Sequence, residues 1–292
     1  MPDYRKNILS SSRFFHPASF DSTFSRREIP LPSGLVVREY RMTVPLLAGR
    51  SLLFFSDTHI QAGTVRSIAE TPGRSLRWNG TGWLTGALRE AVARFSPDYL
   101  LFGGDLITYS SLYPEAMEMM AELKGTRGQF AVYGNWDKRR RSWLPFRVIE
   151  ELYEKAGWKL LVNESVSDGA LELYGLDDYK IGIPRIYPLG PKKGFSLLLS
   201  HNPDAVAALP PEELERFDLA LCGHTHGGQI RIPGFGALKA SSRYWKRFEY
   251  GAYQNRKNGM KMIVSAGIGT TLLPIRILCP PEIILLKFLQ PA

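Results

Sequence analysis

The sequence predicts an α/β fold with a largely buried sheet, and three observations carry that reading. Short apolar runs bordered by Gly, Pro or charge recur along the chain, amphipathic helical patterns lie between several of them, and several runs end on a residue with chemistry in it. With 292 residues, 44% of them apolar, the chain can bury a large core and suits one big α/β domain.

The strands come first. SLLFFSD (51 to 57), DYLLFGGD (98 to 105), GQFAVYGN (128 to 135), GFSLLLSH (194 to 201) and FDLALCGH (217 to 224) each hold a short apolar core, too continuous for a half-solvated strand and too short for a helix. Helical periodicity separates several of them, in TGWLTGALREAVARF (81 to 95), PEAMEMMAELK (114 to 124) and PFRVIEELYEKAG (145 to 157). Beyond residue 228 the texture changes to Gly/Pro-punctuated strands, including KMIVSAG and EIILLKFL, which predicts a second, more antiparallel sheet packed on the first. No internal repeat, low-complexity tract or linker interrupts this pattern.

Composition narrows the setting. Lys+Arg 37 against Asp+Glu 28 gives a net charge of +9, which favours an anionic partner: nucleic acid, a phosphorylated metabolite or an acidic membrane surface. Cys222 and Cys279 are too few for a disulfide framework and fit reduced core thiols in a cytosol. The N-terminus has cations without a hydrophobic stretch of signal-peptide length, so a cytoplasmic location is expected. No apolar run is long enough to span a bilayer, while peripheral attachment to an inner membrane stays open.

In open α/β sheets, ligands bind beyond the carboxyl ends of the strands, where loops converge on one crevice. The strand-terminal residues are Asp57, Asp105, Asn135, His201 and His224; with the near neighbours His59 and His226 they make a set of oxygen and nitrogen donors without cysteine. Such a set can hold two divalent ions, and a carboxylate can bridge them. Four of the chain's five histidines belong to it; His16, in a polar segment with no strand before it, does not. Taken alone, Asp57-Thr-His59 also reads as a capped turn, and GGD at 103 to 105 is a weak signal. GHTHGG at 223 to 228 is the specific element, because its glycines allow a sharp turn that projects two imidazoles into one small space.

Read in order, Asp57-x-His59, Gly-Gly-Asp105, Gly-Asn135-x-Asp137, His201 and Gly-His224-x-His226 resemble the signature of the calcineurin-like metallophosphoesterase superfamily, from about residue 50 to the C-terminus. LLLSHNPD, GHTHGGQIRIP, SAGIGT and the CPPEIILLKF ending are similar to its bacterial, membrane-associated YkuE/YaeI-type branch. The resemblance implies a four-layer αββα sandwich of two mixed sheets, with residues 51–292 as the metallophosphoesterase domain. Residues 1–50, with eight Lys/Arg and four Asp/Glu, then form a basic N-terminal extension packed on or beside the body. It implies that one metal takes Asp57, His59 and His226, the other Asn135, His201 and His224, with Asp105 bridging. Manganese is the first expectation for both ions, with Zn, Fe, Mg and Co also compatible.

Two such cations about 3.5–4 Å apart lower the pKa of a shared water and neutralise charge in an in-line displacement at phosphorus, with a bridging hydroxide as nucleophile. Asn135 would bind through its amide oxygen without adding negative charge. Asp137 is read either as an orienter of a ligand histidine or as a structural residue that caps the next turn or pairs with Lys138.

Trp136 stands where the family pattern has a histidine that contacts phosphate and helps protonate the leaving oxygen. Indole has one N–H and can only donate a hydrogen bond. Losing an acid matters most for a strongly basic alkoxide and least for a departing phosphate, whose second pKa is about 6. The departure therefore favours a diphosphate or another activated ester. The UDP-2,3-diacylglucosamine pyrophosphatases of lipid A synthesis resemble this scaffold and can also lack that histidine. A lipid-linked substrate of that kind, or a phosphorylated small molecule, is the leading expectation. Equally open is an indole that packs under its loop.

Lys138, Arg139, Arg140 and Arg141 follow the site directly and are candidate substrate-phosphate contacts, or a solvated loop. Residues 229 to 261 carry eight Lys/Arg against one acid, Glu249, with Phe, Tyr and Trp245 interleaved, a composition that fits anionic headgroups. Nucleic acid uses the same ingredients and ranks below it. A nuclease or other phosphodiesterase acting on nucleic acid, and a catalytically silent metal-binding scaffold, are the competing readings.

Overall fold

Leu52, Phe54, Leu101, Leu197 and Leu221 sit on strands covered on both faces, which is why the sequence around them is almost continuously apolar. The computed structural model describes residues 11–61, 64–68, 75–138 and 144–291. In chain order the strands are β1 (Phe15–Pro17), β2 (Phe24–Pro30), β3 (Val36–Thr43), β4 (Ser51–Phe55), β5 (Thr64–Ile68), β6 (Ser75–Asn79), β7 (Tyr99–Phe102), β8 (Gly128–Ala131), β9 (Lys159–Leu160) and β10 (Glu164–Ser167). They continue with β11 (Leu171–Gly175), β12 (Phe195–Ser200), β13 (Leu219–Cys222), β14 (Arg231–Ile232), β15 (Gly236–Ala237), β16 (Gly251–Asn255), β17 (Lys261–Val264), β18 (Ile275–Ile277) and β19 (Glu282–Leu289).

Two mixed sheets result, one ordered β2-β3-β19-β4-β7-β8-β9 and the other β1-β16-β17-β13-β12-β11-β10. Along β4, Leu52 and Phe54 point at the second sheet, while Leu53 and Phe55 point at helices α1 (Gly80–Phe95), α2 (Tyr113–Glu122) and α3 (Phe146–Lys155). Helix α1 meets that face through Leu84, Leu88 and Ala91, and α3 through Ile149 and Tyr153, at helical spacing. The outer face of the second sheet, with Leu198, Ala220 and Met262, packs on α4 (Pro203–Ala208) and α5 (Pro211–Leu214). The layers run helix, sheet, sheet, helix, as the resemblance implied.

The expectation for the chain beyond residue 228 needs correction. The second sheet already begins with β10 and β11, and only β16 and β17 of the later strands join it. EIILLKFL returns to the middle of the first sheet as β19, parallel to β3 and antiparallel to β4. A run buried on both faces carries no mark of which sheet takes it. The N-terminal segment expected on or beside the body contributes β1 to the second sheet and β2 and β3 to the first.

β4, β7 and β8 are mutually parallel, as are β11, β12, β13 and β17, so the carboxyl ends of each group lie on one edge. The two edges meet between the sheets, and the loops leaving them build the site. Both cysteines are free and buried. Among the described residues no helix is long and apolar enough to cross a membrane.

Candidate metal centre

Asp57 and His59 follow β4, Asp105 follows β7, Asn135 follows β8, His201 follows β12, and His224 and His226 follow β13. All seven are buried, none more than 5% exposed. Asp57, His59 and His226 form one group, Asp105, His201 and His224 another, and within each the candidate ligand atoms lie within 4.8 Å of one another.

In the first group His59 Nε2 is 3.2 Å from His226 Nε2, and Asp57 Oδ1 is 3.6 Å from the latter. In the second, His201 Nε2 is 3.0 Å from His224 Nδ1. Asp105 Oδ2 is 3.3 Å from His201 Nε2 and 3.4 Å from His59 Nε2, so one carboxylate oxygen spans both groups. Asn135 Oδ1 is buried and accepts no hydrogen bond from the protein.

The backbone pays for this convergence. Asp57, His59, Asp105, His224 and His226 all adopt positive φ, between 40° and 71°. That region costs a non-glycine residue on the order of 1–3 kcal/mol and persists only where surroundings enforce it. Here the enforcement is visible. The His224 N–H donates to both Asp57 carboxylate oxygens at 3.1 and 2.9 Å, and the Ser56 hydroxyl donates to Oδ2 at 2.6 Å. Two glycines make room: a Cβ on Gly134 would lie 2.1 Å from Asp105 Oδ1, and one on Gly223 would lie 2.4 Å from Asp57 Oδ2.

Asp137 acts on the backbone of the ligand loops. It accepts from the backbone N–H groups of Asp105 at 2.8 Å, Leu106 at 3.0 Å and Gly134 at 2.8 Å, tying the β7 and β8 loops together. An amide at that position would present an N–H where a carboxylate oxygen now accepts. Asp137→Asn should therefore cost about 2 kcal/mol in urea-induced unfolding and lower turnover about tenfold by loosening Asp105. An unchanged unfolding midpoint would remove this role.

The ring nitrogens have defined roles. His201 Nδ1 donates to the Gly103 carbonyl at 2.7 Å, and His224 Nε2 to the Ser241 carbonyl at 3.2 Å, which turns His201 Nε2 and His224 Nδ1 toward the centre. Burial holds the His224 and His226 imidazoles well below their ordinary range, so both stay neutral. Burial alone would raise the Asp105 carboxyl, but the His201 and His59 rings beside it hold it well below the usual carboxylate range. Burial opposes charge on His201, yet Asp105 raises it to about 10, and metal ligation requires that proton to leave. An ionised carboxylate between two pairs of imidazoles, an acceptor left without a partner and no thiolate make a donor set that fits two divalent ions of the Zn, Mn, Fe and Co type.

Trp136 borders this centre. Its indole meets the His59 ring edge-on, centroids 5.4 Å apart at 86°, and its backbone N–H donates to Asp105 Oδ1 at 2.7 Å. Lys138 turns away into the body: its ammonium pairs with Asp177 and lies 4.9 Å from the Tyr133 ring centroid and 5.1 Å from that of Phe146. Arg139, Arg140 and Arg141 lie outside the described residues.

Two residues that the sequence reading did not single out also serve this edge. Asp178 follows β11, whose Gly175 pairs with Leu199 of β12, so it reaches the edge beside His201. It is buried, its Oδ2 accepts from the Lys180 and Ile181 N–H groups at 2.6 Å, and its Oδ1 has no partner. LELYGLDD repeats the pattern of a strand followed by a carboxylate and could have flagged it. Arg276 is fully buried and donates to the carbonyls of Gly269, Ala266 and Cys279. It fixes the loop whose Gly269 N–H donates to the Asp57 carbonyl at 2.7 Å. Nothing in IRI announces that task.

Two mixed sheets with helices outside, and two nitrogen and oxygen donor groups joined by one carboxylate at the strand ends, define a metal-dependent phosphoester hydrolase. The family model for calcineurin-like phosphoesterases matches residues 50–228, and the chain belongs to that family. It is 32% identical over 199 residues to the uncharacterized metallophosphoesterase YkuE of Bacillus subtilis, covering 64% of this chain and 66% of that one. It is 31% identical over 200 residues to the phosphodiesterase YaeI of Escherichia coli K12, covering 65% and 70%. A metallophosphoesterase of Aquifex aeolicus matches at 28% over 212 residues, covering 68% and 75%. The chain thus spans about two thirds of the length of the first of these relatives.

Proposed function

We propose that this phosphoesterase cleaves a diphosphate or an activated phosphodiester, such as a nucleotide-sugar lipid of the UDP-2,3-diacylglucosamine kind, with manganese as its metal. The observation that carries the reading is the Trp136 indole at 5.4 Å from the His59 ring, where the family resemblance leads one to expect a histidine. A pair of divalent ions in this centre supplies an activated water and positive charge for the phosphoryl oxygens.

The chain's own groups set the remaining terms. Asp105 lies across both donor groups, His224 and His226 are neutral donors, and Asn135 offers an amide oxygen that leaves the local charge unchanged. Trp136 offers only a donor N–H, so it cannot hand a proton to the leaving oxygen. A leaving group that departs as a stable anion needs no such proton. The E. coli relative's name, a phosphodiesterase, supports the ester side of this reading.

The proposal includes a cytoplasmic protein that touches anionic membrane surface, supported by the eight cations and interleaved aromatics of residues 229 to 261. Nucleic acid ranks second as a partner, on charge alone.

Protein treated with EDTA and dialysed should lose essentially all hydrolysis of bis(4-nitrophenyl) phosphate and of a nucleotide diphosphate sugar. Added Mn should restore both, with inductively coupled plasma analysis finding two ions per chain. Turnover that survives chelation with no bound metal would end the proposal. A screen in which alkyl phosphomonoesters outrun diphosphates and aryl diesters would end its substrate preference.

A further inference from the structure

Beside His226 lies a cavity of about 170 Å³ whose other walls include Ile230, Leu272, Leu273, Lys239 and Ser241. His226 belongs to the metal centre, so the cavity shares a wall with the place where phosphorus must sit. Its lining is unusual for a rim. Leu272 is 89% exposed and Leu273 56%, and Leu272 holds a positive φ of 63°, so an apolar side chain is kept in water on a backbone that disfavours it.

Gln229 holds that conformation from both sides. Its amide nitrogen donates to the Leu273 carbonyl at 2.7 Å, and its amide oxygen accepts from the Thr271 N–H at 2.9 Å. The β14–β15 hairpin adjoins the same loop through the Ile230–Ile277 bridge and adds exposed Ile232, Phe235 and Leu238. Leu272 and Leu273 are thus exposed apolar side chains in the wall of the cavity itself, and such a patch marks an interaction site.

We propose that this cavity binds the apolar substituent of a phosphoester substrate, with Lys239 facing the anionic group next to it. This rests on the proposed hydrolysis and specifies the substrate as an amphiphile. Continuity with His226 selects the occupant: a group seated here is covalently within reach of the reacting phosphate, and a cation at the wall complements the negative charge that such a substrate brings.

The test uses manganese-loaded full-length protein and alkyl 4-nitrophenyl phosphodiesters from ethyl to octyl, below their micelle concentrations. The leaving group is constant, so only the alkyl chain reports on the cavity. kcat/KM should rise at least about tenfold from ethyl to octyl as methylenes leave water. Leu272→Asp/Leu273→Asp should flatten that slope. Leu46→Asp, at an equally open leucine before β4 and so at the end opposite Asp57, should keep it.

Calorimetry with octyl phosphate and ethyl phosphate gives a readout free of turnover. Wild type should bind the octyl compound about tenfold more tightly, and the double variant should not discriminate. Octyl preference without turnover supports the cavity and sinks the proposed reaction. Hydrolysis of the ethyl diester with a flat slope and no calorimetric preference overturns the cavity and leaves the reaction standing.

Discussion

Asp105→Ala should lower kcat on bis(4-nitrophenyl) phosphate by about a thousandfold or more, equivalent to about 4 kcal/mol of transition-state stabilisation, with metal content falling from two ions per chain. The reason is position. Oδ2 is 3.3 Å from His201 Nε2 and 3.4 Å from His59 Nε2, and no other carboxylate oxygen spans both donor groups among the described residues. Asp57 groups as a candidate ligand with His59 and His226, so its loss should remove one ion before the other. The fold should survive, because the loop beneath Asp105 is held by Asp137 through backbone N–H groups that alanine retains. Circular dichroism and metal analysis on the same sample decide the matter. A folded Asp105→Ala protein with two bound ions and turnover within tenfold of wild type would break the assignment.

That residue was legible in the sequence because burial and chemistry change together at a strand end. β7 is apolar through Phe102, and the next polar side chain, Asp105, has to be either exposed or functional. The same reasoning reached Asp57, Asn135, His201 and His224. It did not reach Asp178, since β11 carries Glu172 within it and its apolar run is broken. Arg276 was out of reach for another cause: its partners are the carbonyls of Ala266, Gly269 and Cys279, and backbone acceptors leave no trace in a sequence. Lys138 shows the limit of charge patterning. A cation beside a site reads as a phosphate contact until Asp177, Tyr133 and Phe146 come together around it. The left-handed backbone of five candidate ligands was equally hidden, because Asp and His tolerate that region without requiring it.

Trp136→His should raise kcat on a dialkyl phosphodiester by about a hundredfold, the lower end of what a positioned acid contributes, while a nucleotide diphosphate sugar changes less than about threefold. An alkoxide is too basic to leave unprotonated, so an imidazole beside His59 supplies what indole lacks. A departing phosphate has a second pKa of about 6 and gains little from the same proton. The substitution is also structurally mild. The backbone N–H of residue 136 keeps its bond to Asp105 Oδ1, and the half-buried ring is replaced by a smaller aromatic one against the same histidine. The variant should therefore add an ionisation to the pH profile of dialkyl hydrolysis that is missing from the diphosphate profile. If both substrates gain equally, or if only the diphosphate gains, the tryptophan acts through packing or binding and the leaving-group argument fails. A gain confined to the alkyl ester identifies residue 136 as the place where this chain gave up general-acid chemistry, and with it the ordinary esters that depend on it.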